Sequence, residues 1–137
     1  MVTVMNAITR RTLAAHAAVL VLTAAGCDNG PRADENDPWS VVTAYIDAVN
    51  ASHADAVRDL VDPVYDPDNE IAGRIKRLGG RSLYYETLQF HGLGQAGLTS
   101  VDLTLRSGNP ADKATYRDTL SLTRSNSRWY LILGRHR

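Results

Sequence analysis

Few side chains in this 137-residue sequence carry ready chemistry, and their spacing excludes more than it proposes. The single cysteine, Cys27, rules out an internal disulfide and any cysteine-cluster metal site. Histidine is the usual proton shuttle near neutral pH. Here His53 falls in a helical turn, His91 at a strand end and His136 at the extreme C-terminus. No metal-ligand spacing results, and no metal is expected. There is no P-loop, no G-x-S-x-G nucleophile elbow and no H-E-x-x-H helix, and no cofactor is expected. Fifteen acids balance fifteen bases, so the overall charge does not point to a nucleic-acid partner.

The surroundings of Cys27 are more informative. Residues Met1–Arg11 carry Arg10 and Arg11 and no acid, and Thr12–Ala25 is uncharged around Val19-Leu20-Val21-Leu22. That apolar stretch of 14 residues is followed by Gly26 and Cys27. A bilayer-spanning helix needs about 20, so the pattern is that of an export signal. A lone cysteine after Ala25-Gly26 resembles the lipobox of bacterial lipoproteins, although Ala24 stands where leucine is usual and Leu22 lies two places further back. The resemblance implies cleavage before Cys27, lipidation of its thiol, and anchoring to the outer face of the cytoplasmic membrane. The alternative is an ordinary signal peptide followed by a free cysteine. Thr9-Arg10-Arg11-Thr12-Leu13 is similar to a twin-arginine export motif, but paired arginines also serve the general secretory route, and the route stays open.

This reading divides the chain into a signal peptide (1–26), a lipidated flexible tether (27–37) and one folded domain (38–137). It also exposes a charge asymmetry. Cys27–Glu70 holds eleven acids and two bases, and Ile71–Arg137 holds eleven bases and four acids. Either acidic helices pack beside a basic sheet and neutralise it, or a basic face meets anionic lipid or an acidic partner.

The elements that must position any site follow from periodicity. Asp37-Pro38-Trp39 is a helix start, with Val42, Ile46 and Val49 recurring on one face. A second short helix carries Ala56, Val57, Leu60 and Val61 inward and ends by Pro63. Asp66-Pro67 is placed to cap a third over Asp68–Leu78, stopped by Gly79-Gly80. From Ser82 the period becomes two, giving strands Ser82–His91, Leu98–Arg106, Ala114–Arg124 and Arg128–Arg135 separated by turn-forming stretches. Helices first and hairpin-linked strands afterwards predict an α+β fold, helices on one face of an antiparallel sheet of about four strands.

The stretch Val41-Val42-Thr43-Ala44-Tyr45-Ile46-Asp47-Ala48-Val49-Asn50-Ala51, continued by Ala54-Asp55-Ala56-Val57-Arg58-Asp59-Leu60, resembles the opening helices of the nuclear transport factor 2-like superfamily. That superfamily includes ketosteroid isomerase and the SnoaL-type polyketide cyclases. Ser52-His53 stands where members usually carry a glycine–acid pair. The resemblance spans roughly residues 38–137 and implies a cone-shaped α+β barrel, a curved antiparallel sheet with helices across its open side.

It also implies candidate catalytic positions. Tyr45 falls where the isomerases place an oxyanion donor, Asp66 precedes a proline as their general base does, and Asp118 is a candidate for their late-strand acid. Each has a plainer role: Tyr45 as a core aromatic, Asp66 as a helix cap, Asp118 as one of three neighbours that fit the position. Pocket walls would come from Tyr84, Tyr85, Glu86 and His91 on the first strand, Tyr116 on the third, and Trp129 and Tyr130 on the last. Because the superfamily hosts both enzymes and inert modules, activity does not follow from fold. The sequence favours an envelope lipoprotein that binds a small apolar ligand or a protein partner without catalysis. The alternatives are an isomerase- or cyclase-like enzyme using Tyr45 with Asp66 or Asp118, and a structural module that forms a homodimer.

Overall fold

The computed structural model describes residues 37–92 and 97–137. The expected signal peptide, Cys27 and all but the last residue of the tether lie outside the described residues. Helix α1 spans Pro38–Asn50. Asp37 caps it by accepting the Trp39 backbone N–H at 3.0 Å, and Pro38 fits the first turn because no N–H is required there. One face buries Val41, Val42, Tyr45, Ile46, Ala48 and Val49.

Helix α2, Ala54–Arg58, is shorter than its apolar pattern suggests. Leu60 and Val61 are still buried, because the chain leaves the helix to pair with a strand. The Leu131 N–H donates to the Leu60 carbonyl at 2.7 Å, and the Asp62 N–H donates to the Leu131 carbonyl at 3.0 Å. Next comes a two-residue strand, β1 (Tyr65–Asp66), and then α3 (Asp68–Leu78). Asp66 does not cap α3. Pro67 holds the cap position, no side chain caps the helix, and the exposed Asp66 belongs to β1.

The main sheet is antiparallel in the order β2 (Leu83–His91), β3 (Leu98–Ser107), β4 (Thr115–Ser125), β5 (Arg128–Ile132). A bulge between Tyr85 and Thr87 bends β2, and Asn126 and Ser127, both at positive φ, make the tight β4–β5 turn. The last strand was expected to run through Arg135. Instead it stops at Ile132, and the chain resumes after Gly134 as β6 (Arg135–His136), antiparallel to β1. Glycine is required at this break. At φ +84° its backbone lies against Asp66, and a Cβ on Gly134 would sit 1.9 Å from the Asp66 carbonyl oxygen.

The core lies between the helices and one face of the sheet, where Val101, Leu103, Leu105, Leu120, Leu122 and Leu131 meet the α1 side chains. Asn50, at the end of α1, ties the two layers. Its side chain donates to the Leu83 carbonyl at 2.8 Å and accepts the Leu83 N–H at 2.7 Å, pairing with the start of β2 as a neighbouring strand would. The opposite sheet face is polar, carrying Thr87, Gln89, Asp102, Arg117, Thr119 and Ser121 in alternation with the buried positions.

Candidate functional site

Two of the three residues suggested for catalysis meet in the interior. On β4 the side chains of Tyr116, Asp118, Leu120 and Leu122 share the inward face, which places an acid on an otherwise apolar row. Tyr45, on the buried stripe of α1, donates its hydroxyl to Asp118 Oδ2 at 2.7 Å. Arg74 joins them from α3, its Nη1 donating to Asp118 Oδ2 at 2.5 Å and to the Tyr45 oxygen at 3.2 Å. The other carboxylate oxygen accepts the Thr119 backbone N–H at 3.1 Å and faces Arg77 at 3.5 Å. Asp66 takes no part and lies exposed on β1.

The electrostatics follow from this packing. Burial, reinforced by the negative charge of Asp118, pushes the Tyr45 hydroxyl well above its ordinary value, so it stays a donor. Burial also works against the Arg74 charge, but Tyr45 and Asp118 together outweigh it and raise its pKa. A buried carboxylate costs a great deal unless paired and hydrogen-bonded, and here both oxygens are. The cluster is hydrogen-bonded internally. The Tyr45 proton is committed to Asp118, and each oxygen of Asp118 already accepts from a donor. A general base needs an unengaged lone pair, and an oxyanion donor must point at the place where charge develops.

Arg74 is the member that sequence reasoning did not single out as a site residue. The signal was present: Arg74 is three residues after Ile71 and four before Leu78, the two buried positions of α3, and shares their face.

The suggested pocket walls disperse. Tyr84 and Tyr85 are exposed on β2, and Glu86, in the bulge, pairs with Arg106 at 3.0 Å. His91 is exposed and meets Asp102 at 3.0 Å, which also accepts the Thr119 hydroxyl at 2.8 Å; these two bonds hold the Asp102 carboxyl below its usual range. Tyr116 donates to Asp112 at 2.9 Å, and Trp129 packs against the core. Tyr130 lies under Arg128, 4.9 Å from the guanidinium.

Tyr130 does line a groove. Of about 340 Å³, this groove is walled by Tyr65, Tyr130, Pro63, Pro67, Arg58, Arg128 and Arg137 with Asp59 and Asp62. The β1–β6 pairing builds it, helped by an Arg137 N–H donated to the Val64 carbonyl at 2.9 Å. Gly92, Gly94 and Gly97 have G-x-G-x-x-G spacing, but the segment joins two antiparallel strands. The strand–loop–helix setting that makes such a loop cradle phosphates is missing. Among the described residues no cluster of three or more histidine, cysteine or acidic side chains is arranged to hold a metal. No described helix is long and apolar enough to cross a membrane.

No family profile and no curated protein matches the sequence. Solved structures do match in shape. The chain is similar to Rd1NTF2_05, in a form with five substitutions, at a TM-score of 0.54 and 13% identity over 68% of this chain and 90% of that one. The fold is nuclear transport factor 2-like. Two further similarities are to a protein named as an NTF2-like transpeptidase from Campylobacter jejuni and to a SEC-C motif containing protein from Rhodopseudomonas palustris. The first has a TM-score of 0.48, 10% identity and coverage of 71% and 99%; the second has 0.46, 14%, and 75% and 80%. At 13% identity the likeness to Rd1NTF2_05 is one of architecture.

Proposed function

We propose that this nuclear transport factor 2-like domain is a non-catalytic binding module of an exported lipoprotein. Cys27 holds it at the outer face of the cytoplasmic membrane, and it binds a small apolar ligand or a protein partner of the envelope. The observation that supports the non-catalytic reading is that the Tyr45 hydroxyl, Asp118 Oδ2 and Arg74 Nη1 are engaged with one another in the interior. Asp66, the other candidate base, faces solvent on β1. The Cys27 anchor rests on the lipobox-like sequence. The groove between Tyr65 and Tyr130 supports recognition at the surface, since it combines aromatic and proline walls with charges of both signs.

The isomerase reading is tested directly with a β,γ-unsaturated ketone, whose conversion to the conjugated isomer is followed by ultraviolet absorbance. The expected result is no turnover by the wild type above that of buffer. Turnover that disappears in Tyr45→Phe and Asp118→Asn would overturn the non-catalytic reading. The binding reading is tested by native mass spectrometry of protein released gently from membranes, which is expected to retain a ligand or partner mass that unfolding removes.

A further inference from the structure

The chain enters the fold at an exposed aromatic cluster. Asp37 accepts the Trp39 N–H, so the incoming chain is fixed beside the Trp39 ring. That ring meets Tyr85 edge-on with centroids 5.3 Å apart, and lies 6.4 Å from the Phe90 ring. Trp39 is 38% exposed and Tyr85 44%. Single exposed apolar residues are ordinary on a protein surface, whereas rings in contact with one another form a patch that marks an interaction site. Asp37, at the entry to the patch, is bound to the helix start. The rings themselves are neutral and amphipathic, with an indole N–H on Trp39 and a phenol hydroxyl on Tyr85. Side chains of this kind are favoured at the headgroup level of a bilayer.

The chain length between anchor and patch limits where the patch can be. Ten residues, Asp28–Asp37, separate Cys27 from α1, and ten residues reach at most about 35 Å when fully extended. Trp39 is therefore never more than about a domain's width from a bilayer that holds a lipid on Cys27, and weak surface affinity is amplified by that tethering. We infer that Trp39 and Tyr85 form a docking surface that rests on the bilayer in which Cys27 is anchored. The inference rests on the lipoprotein reading of Cys27. It gives the domain an orientation. The groove at Tyr130 lies along β5, the opposite edge of the sheet from β2, so it faces away from the lipid and stays open to a partner.

The chain has two tryptophans, which makes the test direct. The full-length protein is taken from membranes and reconstituted in phosphatidylcholine vesicles with and without bromine on the acyl chains, a quencher of nearby indoles. In Trp129→Phe, brominated lipid is expected to remove roughly half of the Trp39 emission, as for an indole resting at the boundary of headgroups and acyl chains. In Trp39→Phe, the emission of Trp129, which packs on the core, is expected to stay unchanged. If Trp129→Phe does not fold, the difference between wild type and Trp39→Phe reports the same quantity. The intact mass of each sample reads the lipid on Cys27. Lipidated protein with unquenched Trp39, or with both tryptophans quenched equally, overturns the docking surface and leaves the anchor standing. Mature protein with an unmodified Cys27 overturns the anchor and the docking surface together.

Discussion

The Tyr45 hydroxyl lies 2.7 Å from Asp118 Oδ2, a hydrogen bond that joins α1 to β4 across 73 positions of chain. With Arg74 added from α3, one buried polar cluster ties α1, α3 and β4 together. Such a network, when fully satisfied, fixes the relative placement of its elements more narrowly than hydrophobic packing does.

The raised pKa of Tyr45 makes stability depend on pH in one direction. Burial and the Asp118 charge keep its proton in the folded state, whereas the unfolded chain releases it as the pH passes 10.0. The folded state then binds more protons, so this contribution is complete below that pH and declines above it. Urea midpoints measured from about pH 8 to about pH 11 are expected to fall more steeply at the alkaline end for wild type than for Tyr45→Phe. Parallel curves would mean that Tyr45 titrates alike in both states.

Asn50 pairs with both backbone groups of Leu83. Asn50→Ala leaves a part-buried N–H and carbonyl without partners, which costs about 1–3 kcal/mol. Equilibrium urea denaturation reads this as a lower midpoint at unchanged slope. A midpoint equal to that of wild type would show that water replaces the amide without loss.

Two glycines are expected to respond with opposite signs. Gly134→Ala drives a Cβ into the Asp66 carbonyl at an unfavourable φ, and is expected to lower the melting temperature and disrupt the β1–β6 pairing. Gly73 sits within α3 with nothing within 4 Å of an added Cβ. Gly73→Ala gains helix propensity of about 1 kcal/mol and is expected to raise the melting temperature. Thermal unfolding followed by circular dichroism distinguishes the two.

Where a single periodicity governed, sequence and structure agree. The Asp37–Pro38 start of α1, the Asp68–Leu78 range of α3 and the inward row Tyr116, Asp118, Leu120, Leu122 all follow from local spacing. The β1–β6 pair was not legible, because two-residue strands have no period, and what creates them is Gly134 approaching Asp66 from 68 positions away. For the same reason Asp66 read as a helix cap: locally it has the right type and place, and the distant strand decides otherwise. The cluster was half legible. The family resemblance suggested Asp118, and Arg74 shares a helix face with Ile71 and Leu78, but nothing local says that the two face each other. Among the described residues the ion pairs run mostly within each half and leave the charge asymmetry in place. Asp118 pairs with Arg74 and Arg77, and Asp112 with Arg81, while Arg74–Glu70 at 3.9 Å reaches across.

The anchor is tested apart from the fold. Cys27→Ser is expected to abolish labelling by a fatty-acid probe and to release the protein from membranes, since one residue carries the lipid. A Cys27→Ser protein that stays membrane-bound and is processed normally would contradict the lipoprotein reading.

On the proposed non-catalytic reading, Tyr45, Asp118 and Arg74 form a structural clamp and not a proton-transfer site. Groups held for catalysis are commonly kept at a cost to the fold, and replacing them tends to raise stability; clamp residues do the reverse. The most direct measurement is the unfolding free energy of wild type, Tyr45→Phe, Asp118→Asn and the double variant in urea. The clamp predicts a loss of about 3 kcal/mol for Asp118→Asn, which leaves the largely buried Arg74 with only the half-exposed Glu70, 3.9 Å away, as counter-charge. It also predicts that the two single losses fail to add by about 1–2 kcal/mol. A more stable Asp118→Asn, or strictly additive losses, would contradict it.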